Sequence, residues 1–374
     1  MDTVFYAIAI IYALLILWFI LGFMRMKSVE ITNHSPTNKF SIVIPFRNEA
    51  NNLLDLLNSI IKLDYPSSHF EVILVDDFST DNSIELLNNF KSNNPKTTIQ
   101  VLQNSTKKSP KKAAITLGIK HAKFEWMVTT DADCCVPEYW LKAFDYGIQN
   151  SNSKMLCGPV QLQSKPSLSA LFEILNFNSL QGATIGSFGW KRPILCNGAN
   201  LSYSKQAFLD VDGFEGNEQI ASGDDIFLLE KFKHQFPKSI QFLKSESAIV
   251  VTKTQSSFSD FIAQQQRWAA KSKSYKSTLA KLVGAVVFIQ NLSLVTLFFL
   301  AIFQAIYWEL FFNCLAIKMI VDTVLIYQSL RFYKQEKLTI ASLPMSFIYP
   351  LFSVATVLLS IFSKYEWKGR AFKS

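Results

Sequence analysis

The sequence predicts an α/β domain with a mostly parallel sheet, set between an apolar N-terminal helix and an apolar C-terminal helical region. Three observations predict it. Val4 to Met24 carries no charge and is long enough to cross a bilayer. Residues 38–250 alternate short Val/Ile-rich runs with helical patterns, as strand–helix–strand units do. From about residue 282 the chain turns apolar again. The composition agrees: 49% of the 374 residues are hydrophobic, 32 are Phe, and the net charge is +8. That balance disfavours a disordered chain and points to membrane contact.

Arg25 and Lys27 follow the first apolar run directly. A secretory signal has its positive charge before the run and a small-residue cleavage site after it. Here the order is reversed, so residues 1–27 are expected to be an uncleaved anchor. The basic flank places the next domain in the cytoplasm. In that domain "KFSIVIPF" and "FEVILVDD" read as buried strands, and Leu53, Leu56, Leu57, Ile60 and Ile61 between them fall at helical spacing. "TIQVLQN" and "EWMVTTD" add two strands around a helix, "KKAAITLGIKHA". Such sheets bind ligands at the carboxyl ends of their strands, where Asp76, Asp77, Asp131 and Asp133 fall. Asp131 and Asp133 are two apart, which on a strand is one face. Adjacent anions repel unless a cation lies between them. A solvated turn that caps the next helix is the other reading.

Ser257 opens an amphipathic helix with Phe258, Phe261, Ile262, Gln265, Trp268 and Ala269 on its apolar side. Gln264, Arg267 and Trp268 share a face at i, i+3 and i+4. Lys271, Lys273, Lys276 and Lys281 follow as a basic stripe suited to a lipid surface. Residues 282–303, 305–330 and 339–362 are long enough to span. Lys318 and Asp322, four apart, are expected to pair and shield each other from lipid. Pro344 and Pro350 interrupt the last segment, which reads as re-entrant or broken. Three full crossings would put the basic tail outside, against the positive-inside rule. Cysteines 134, 135, 157, 196 and 314 lack paired or metal-ligand spacing and read as reduced thiols, and histidines 34, 69, 121 and 234 are isolated. The expected divisions are an anchor (1–27), an α/β domain (38–255), an interfacial helix (256–281), a membrane region (282–363) and a basic tail (364–374).

Five clusters stand in order: "IPFRNEA", "LVDDFSTDNS", "TTDADC", "SGDDIFLL" and "QQQRW". Over residues 38–280 this set resembles a membrane-anchored family 2 glycosyltransferase with the GT-A fold. The resemblance implies that Pro45, Arg47, Glu49, Asp76 and Asp77 hold the base and ribose of a nucleotide sugar. Carboxylates suit that task because they accept hydrogen bonds from ribose hydroxyls. Arg47 stands where the family often has an aromatic. Lys111 matches the lysine of a diphosphate-binding segment, the other reading being a solvated patch with Lys107, Lys108 and Lys112. Asp131-Ala132-Asp133 matches the D-x-D motif, with Asp133 a ligand of Mg²⁺ or Mn²⁺ and Asp131 nearer the ribose and diphosphate. Asn200 matches an acceptor-side asparagine, with packing as its other role.

"GDDIFL" is similar to the family's Glu-Asp-x-x-Leu, with Asp224 in the place of Glu and Asp225 as the general base of inverting members. Helix capping is the other reading for this pair. Gln264, Arg267 and Trp268 match Q-x-x-R-W, which in the family lines the acceptor mouth and helps hold the diphosphate. "EWKGR" (366–370) resembles an ending of non-processive, lipid-glycosylating members. The resemblance therefore implies an integral membrane enzyme that moves a sugar, with inversion, from a nucleotide sugar (a UDP-sugar) to a lipid-linked or membrane-embedded hydroxyl. The alternatives are a processive polysaccharide synthase and a non-catalytic sugar-nucleotide-binding scaffold. The expected partners are the donor, a lipid or glycan acceptor and the membrane, and not nucleic acid.

Overall fold

A computed structural model describes residues 2–31, 34–106, 110–217, 223–272, 274–362, 365–367 and 370–372. Helix α1 (Asp2–Arg25) is the first apolar run. Strand β1 (Phe40–Phe46), α2 (Leu53–Ile60), β2 (Phe70–Asp76), α3 (Ser83–Asn93), β3 (Ile99–Gln103), α4 (Pro110–His121) and β4 (Trp126–Thr129) follow in the expected alternation. Helix α2 buries Leu53, Leu56, Leu57 and Ile60, the spacing that predicted it. Next come β5 (Cys134–Cys135), α5 (Trp140–Gln149), β6 (Met155–Cys157), β7 (Val160–Gln163) and α6 (Leu168–Gly189). Then follow β8 (Leu201–Ser204), α7 (Lys205–Asp210), α8 (Asp224–Gln235), β9 (Ile240–Phe242), β10 (Val250–Lys253) and α9 (Phe258–Ser272). The chain ends with α10 (Thr278–Phe303), α11 (Tyr307–Phe332), α12 (Ser342–Phe362), β11 (Tyr365–Trp367) and β12 (Arg370–Phe372).

These elements form two compact units. The first comprises Lys27–Gln163 and Leu195–Lys253. Its main sheet runs β3-β2-β1-β4-β8-β6-β9. β1 pairs in parallel with β2 and β4, and β2 with β3, whereas β8 lies antiparallel to both β4 and β6. Strand order reverses at β1, with β2 on one side and β4 on the other, and that is where an open α/β sheet leaves a crevice at its carboxyl edge. Gly118 lets α4 lie close on the sheet, since a Cβ there would come within 2.5 Å of Val43 Cγ1. A smaller sheet, β5-β10-β7, starts just past β4.

The second unit comprises Met1–Met26, Ser164–Ile194 and Thr254–Ser374. Residues 164–194, expected in the α/β domain, belong here with the apolar helices. The reason is close backbone packing: a Cβ on Gly186 would lie 2.3 Å from Phe19 O, and one on Gly189 1.9 Å from Gly22 O. Trp190 stacks on Trp18 at 5.9 Å and donates its indole N–H to Trp18 O at 2.7 Å. Helix α6 also carries a buried polar row. Asn178 Oδ1 accepts from Ser329 at 2.9 Å, and Gln181 Oε1 from the Tyr333 hydroxyl at 3.0 Å.

Among the described residues, four helices are long and apolar enough to cross a membrane: Asp2–Arg25, Thr278–Phe303, Tyr307–Phe332 and Glu336–Ile361. The expected pair forms, with Lys318 donating to Asp322 and, at 3.3 Å, to the Tyr12 hydroxyl. Tyr12 in turn donates to Asp322 at 2.6 Å. The last segment is not broken: α12 runs through Pro350, which removes one backbone donor without ending the helix. Lys107, Lys108, Lys273 and the centre of "EWKGR" (368–369) lie outside the described residues.

Candidate active site

Four of the expected side chains converge at the carboxyl edge of the main sheet. Lys111, in the first turn of α4, places its Nζ 2.7 Å from Asp131 Oδ1 and 3.5 Å from Asp224 Oδ2. Burial alone would depress its ammonium, but the charges of Asp131 and Asp224 outweigh burial and hold it above its ordinary range. Lys111 is therefore ion-paired with both aspartates. Its neighbour Lys112 corrects the solvated-patch reading, being 2% exposed, with Nζ donating to Asn217 O at 2.7 Å and lying 4.9 Å from the Phe227 ring centre.

Asp224 and Asp225 open α8. The N-cap is Gly223 in a left-handed conformation (φ 82), which makes no side-chain cap bond, and Asp224 and Asp225 are the first two residues of the helix rather than its N-cap. Asp225 Oδ1 accepts the Ile226 N–H at 2.8 Å, and its Oδ2 accepts the Gly198 N–H at 3.3 Å. Gly198, two residues before Asn200, was not among the expected site residues. A Cβ there would stand 3.1 Å from Asp224 Oδ2, so glycine lets this loop approach both carboxylates. Thr129, at the end of β4, fixes the same loop by donating to Gly198 O at 2.9 Å.

β4 ends at Thr129, so Asp131 and Asp133 do not share a strand face. They stand on a turn closed by the Cys134 N–H on Asp131 O at 3.2 Å, and both are half-buried. Asp133 Oδ1 lies 3.7 Å from Cys134 Sγ. Burial, then the charges of Asp133 and Asp131, push that thiol up, so Cys134 stays neutral. A hard divalent cation takes about six oxygen ligands. Among the described residues no group of three His, Cys, Asp or Glu side chains could hold an ion. The two carboxylates have the donor chemistry that Mg²⁺ or Mn²⁺ takes, and further oxygen ligands would have to come from elsewhere.

A second group gathers at the ends of β1 and β2. Pro45 lies in β1 opposite Val75, half-buried. Arg47 donates to Asp77 O at 2.8 Å and Phe78 O at 2.9 Å, clamping the two loops together. Glu49 is 9% exposed and accepts from Asn52 at 2.7 Å. Asp76 accepts the Ser79 N–H at 2.9 Å and so shapes its own turn. Asp77 instead accepts from Asn104 Nδ2 at 3.1 Å. Asn104 was read only as the end of a strand run, yet its amide also donates to Pro110 O at 3.2 Å, tying β3 to the start of α4.

Asn200 does not face this crevice. It is fully buried, accepts from Trp140 Nε1 at 2.9 Å, and donates to Pro159 O and Ala248 O at 2.7 Å each. Both of its amide hydrogens are spent inside the fold, which supports the packing role. Gln264, Arg267 and Trp268 lie on α9, in the second unit, where Phe261 is the buried anchor at 1% exposure.

The family described as "Glycosyl transferase family group 2" matches residues 126–358, and "Glycosyl transferase family 2" matches residues 41–187. The chain is 26% identical over 353 residues to the poly-beta-1,6-N-acetyl-D-glucosamine synthase of Staphylococcus epidermidis, covering 93% of this chain and 80% of that protein. It is 30% identical over 118 residues to the poly(ribitol-phosphate) beta-N-acetylglucosaminyltransferase TarS of Staphylococcus aureus, covering 32% of this chain and 20% of that one. The fold is similar to that of a mannosyltransferase from Pyrobaculum calidifontis solved with GDP-Man and Mn²⁺. The TM-score is 0.61 at 14% identity, over 96% of this chain and 98% of that one.

Proposed function

The chain belongs to glycosyl transferase family 2, and from that premise we propose that it transfers a sugar, with inversion, from a UDP-sugar to a hydroxyl of a lipid-linked or membrane-embedded acceptor. The observation that carries this reading is the convergence of Lys111, Asp131, Asp224 and Asp225 at the carboxyl edge of the sheet. Asp76, Asp77 and Glu49 receive the base and ribose. Lys111 balances the diphosphate while Asp224 keeps its ammonium charged. Asp225 accepts the proton of the acceptor hydroxyl as that oxygen attacks the anomeric carbon opposite the leaving diphosphate. Asp133, with Asp131 beside it, would hold a Mg²⁺ or Mn²⁺ ion, whose chemistry is to offset charge on the departing nucleotide diphosphate. Gln264, Arg267 and Trp268 serve the acceptor and diphosphate side.

A second reading is repeated transfer to make a polysaccharide. It is favoured by the similarity to a poly-beta-1,6-N-acetyl-D-glucosamine synthase along 93% of this chain. One experiment tests both readings. The detergent-purified protein is titrated calorimetrically with a panel of nucleotide sugars and Mn²⁺, and the bound donor is then supplied with membrane lipid. Binding of one UDP-sugar with release of UDP is the expected result, and product length separates single from repeated transfer. If no nucleotide sugar binds, the proposal fails.

A further inference from the structure

Glu173 and Asn176 lie nearly one turn apart on α6, and no sequence motif marks either. Glu173 is 3% exposed, and its two carboxylate oxygens accept the Gln255 N–H at 3.0 and 3.2 Å. Gln255 belongs to the lead-in of α9, just before Ser257, whose Oγ accepts the Asp260 N–H at 3.1 Å and so starts the helix. Asn176, 6% exposed, donates Nδ2 to Gln265 Oε1 at 3.2 Å in the middle of α9. Phe261 lies between these two grips. Its ring meets Phe172 of α6 edge-on at 6.0 Å and stacks on Phe352 of α12 at 5.4 Å. Helix α9 is thus held at its start, at its middle and along its apolar side, all within one unit.

A carboxylate is a costly way to hold a single backbone N–H. Burial pushes Glu173 up to about 7, and the Gln255 N–H offsets only part of that rise. Placement matters more here than stability. At 3.6 residues per turn, Arg267 stands about 120° around the helix from Phe261, and Gln264 about 60°. Fixing Phe261 and Gln265 therefore fixes the direction in which Gln264 and Arg267 project.

We infer that Glu173 and Asn176 are positioning residues that set the presentation of the Q-x-x-R-W side chains for transfer. The inference rests on the role proposed above for Gln264 and Arg267. The test measures kcat, donor KM and melting temperature for the full chain in detergent. The variants are Glu173→Ala, Glu173→Gln, Asn176→Ala and Arg267→Ala. Glu173→Ala and Asn176→Ala should each lower kcat by about tenfold or more with donor KM little changed, as lost positioning does. Glu173→Gln should recover most of the rate, because its amide oxygen still accepts the Gln255 N–H. Should Glu173→Ala fail to accumulate, Asn176→Ala and Glu173→Gln carry the test. A lowered melting temperature with unchanged kcat in the Ala variants, while Arg267→Ala is inactive, overturns the inference. So does a Gln variant as impaired as the Ala variant. An active Arg267→Ala enzyme removes the premise itself, and the inference with it.

Discussion

Asp225 engages both of its carboxylate oxygens, one on the Ile226 N–H at 2.8 Å and the other on the Gly198 N–H at 3.3 Å. An Asn keeps the shape and one acceptor but cannot take a proton. Asp225→Asn should therefore lower turnover by roughly 10²–10⁴ with donor binding nearly unchanged, and lower the melting temperature by only a few degrees, because its NH2 group faces one of the two backbone N–H donors. Asp224→Asn should lower it less, since it removes one of the two carboxylates paired with Lys111. Turnover assays and calorimetry on both variants check this, and an active Asp225→Asn enzyme would leave the mechanism without its base. Glu173 makes a prediction about pH. Its carboxyl titrates near 7 in the fold against an ordinary 4.5, so the ionised form is the one that burial penalises. Folding stability should fall as pH rises from about 4.5 to 7 and return on acidification. Glu173→Gln should thus stabilise the protein at pH 8 by on the order of 1–3 kcal/mol, with the gain shrinking towards pH 5. Thermal unfolding in detergent at the two pH values reads this directly. A gain equal at both would contradict it.

At the scale of elements, α1 and α6 meet backbone to backbone. A Cβ on Gly22 would lie 2.0 Å from Gly186 O, so no side chain larger than hydrogen fits without parting the helices. Arg25 and Trp190 close the end of this seam, the guanidinium lying 4.5 Å from the ring centre. Gly186→Leu should unseat α1 and lower the melting temperature by several degrees, an overpacking penalty of about 1–3 kcal/mol. Gly284, inside α10 with nothing within 4 Å of its Cβ position, is the internal control, and Gly284→Leu should not lower the melting temperature. Equal stability of the two variants would mean the seam does not hold α1. The sequence signalled none of this. Gly22 sits in a run whose apolarity is its only signal, and residues 164–189 fall inside the stretch 38–255 expected to form the α/β domain. Polar groups of that stretch are instead paired with Ser329, Tyr333, Gln265 and the Gln255 N–H.

For the whole molecule, removing residues 1–27 separates anchoring from folding. Three helices long and apolar enough to cross a membrane remain at Thr278–Phe303, Tyr307–Phe332 and Glu336–Ile361. The truncated chain should still sediment with membranes. It should also lose stability, because Lys318 and Asp322 lose the Tyr12 hydroxyl and the glycine face of α6 loses its partner. Membrane fractionation with thermal unfolding in detergent checks both parts. Truncated protein that is soluble without detergent would overturn the reading of residues 278–362, and one as stable as the parent would make α1 a mere tether.

Local chemistry that repeats along the chain was legible in the sequence by itself. Short Val/Ile-rich runs marked strands such as β1 and β2 of the first unit, which are buried on both faces, and period-3.6 apolar spacing marked α2, which buries one face. Apolar length fixed the membrane candidates, because a bilayer core has a set thickness. The carboxylates Asp76, Asp77, Asp131 and Asp133 stood out because they fall together at the carboxyl ends of strands, where such sheets bind ligands. Only the tertiary structure decided which groups meet. Neighbours Lys111 and Lys112 look alike in sequence, yet one joins Asp131 and Asp224 while the other is buried against Asn217 and Phe227. Asn200 and Asn104 exchange importance for the same reason, since an amide's role depends on which distant atoms reach its hydrogens. Spacing along a chain encodes which face a residue takes, whereas the partner across the gap is set by how the elements pack.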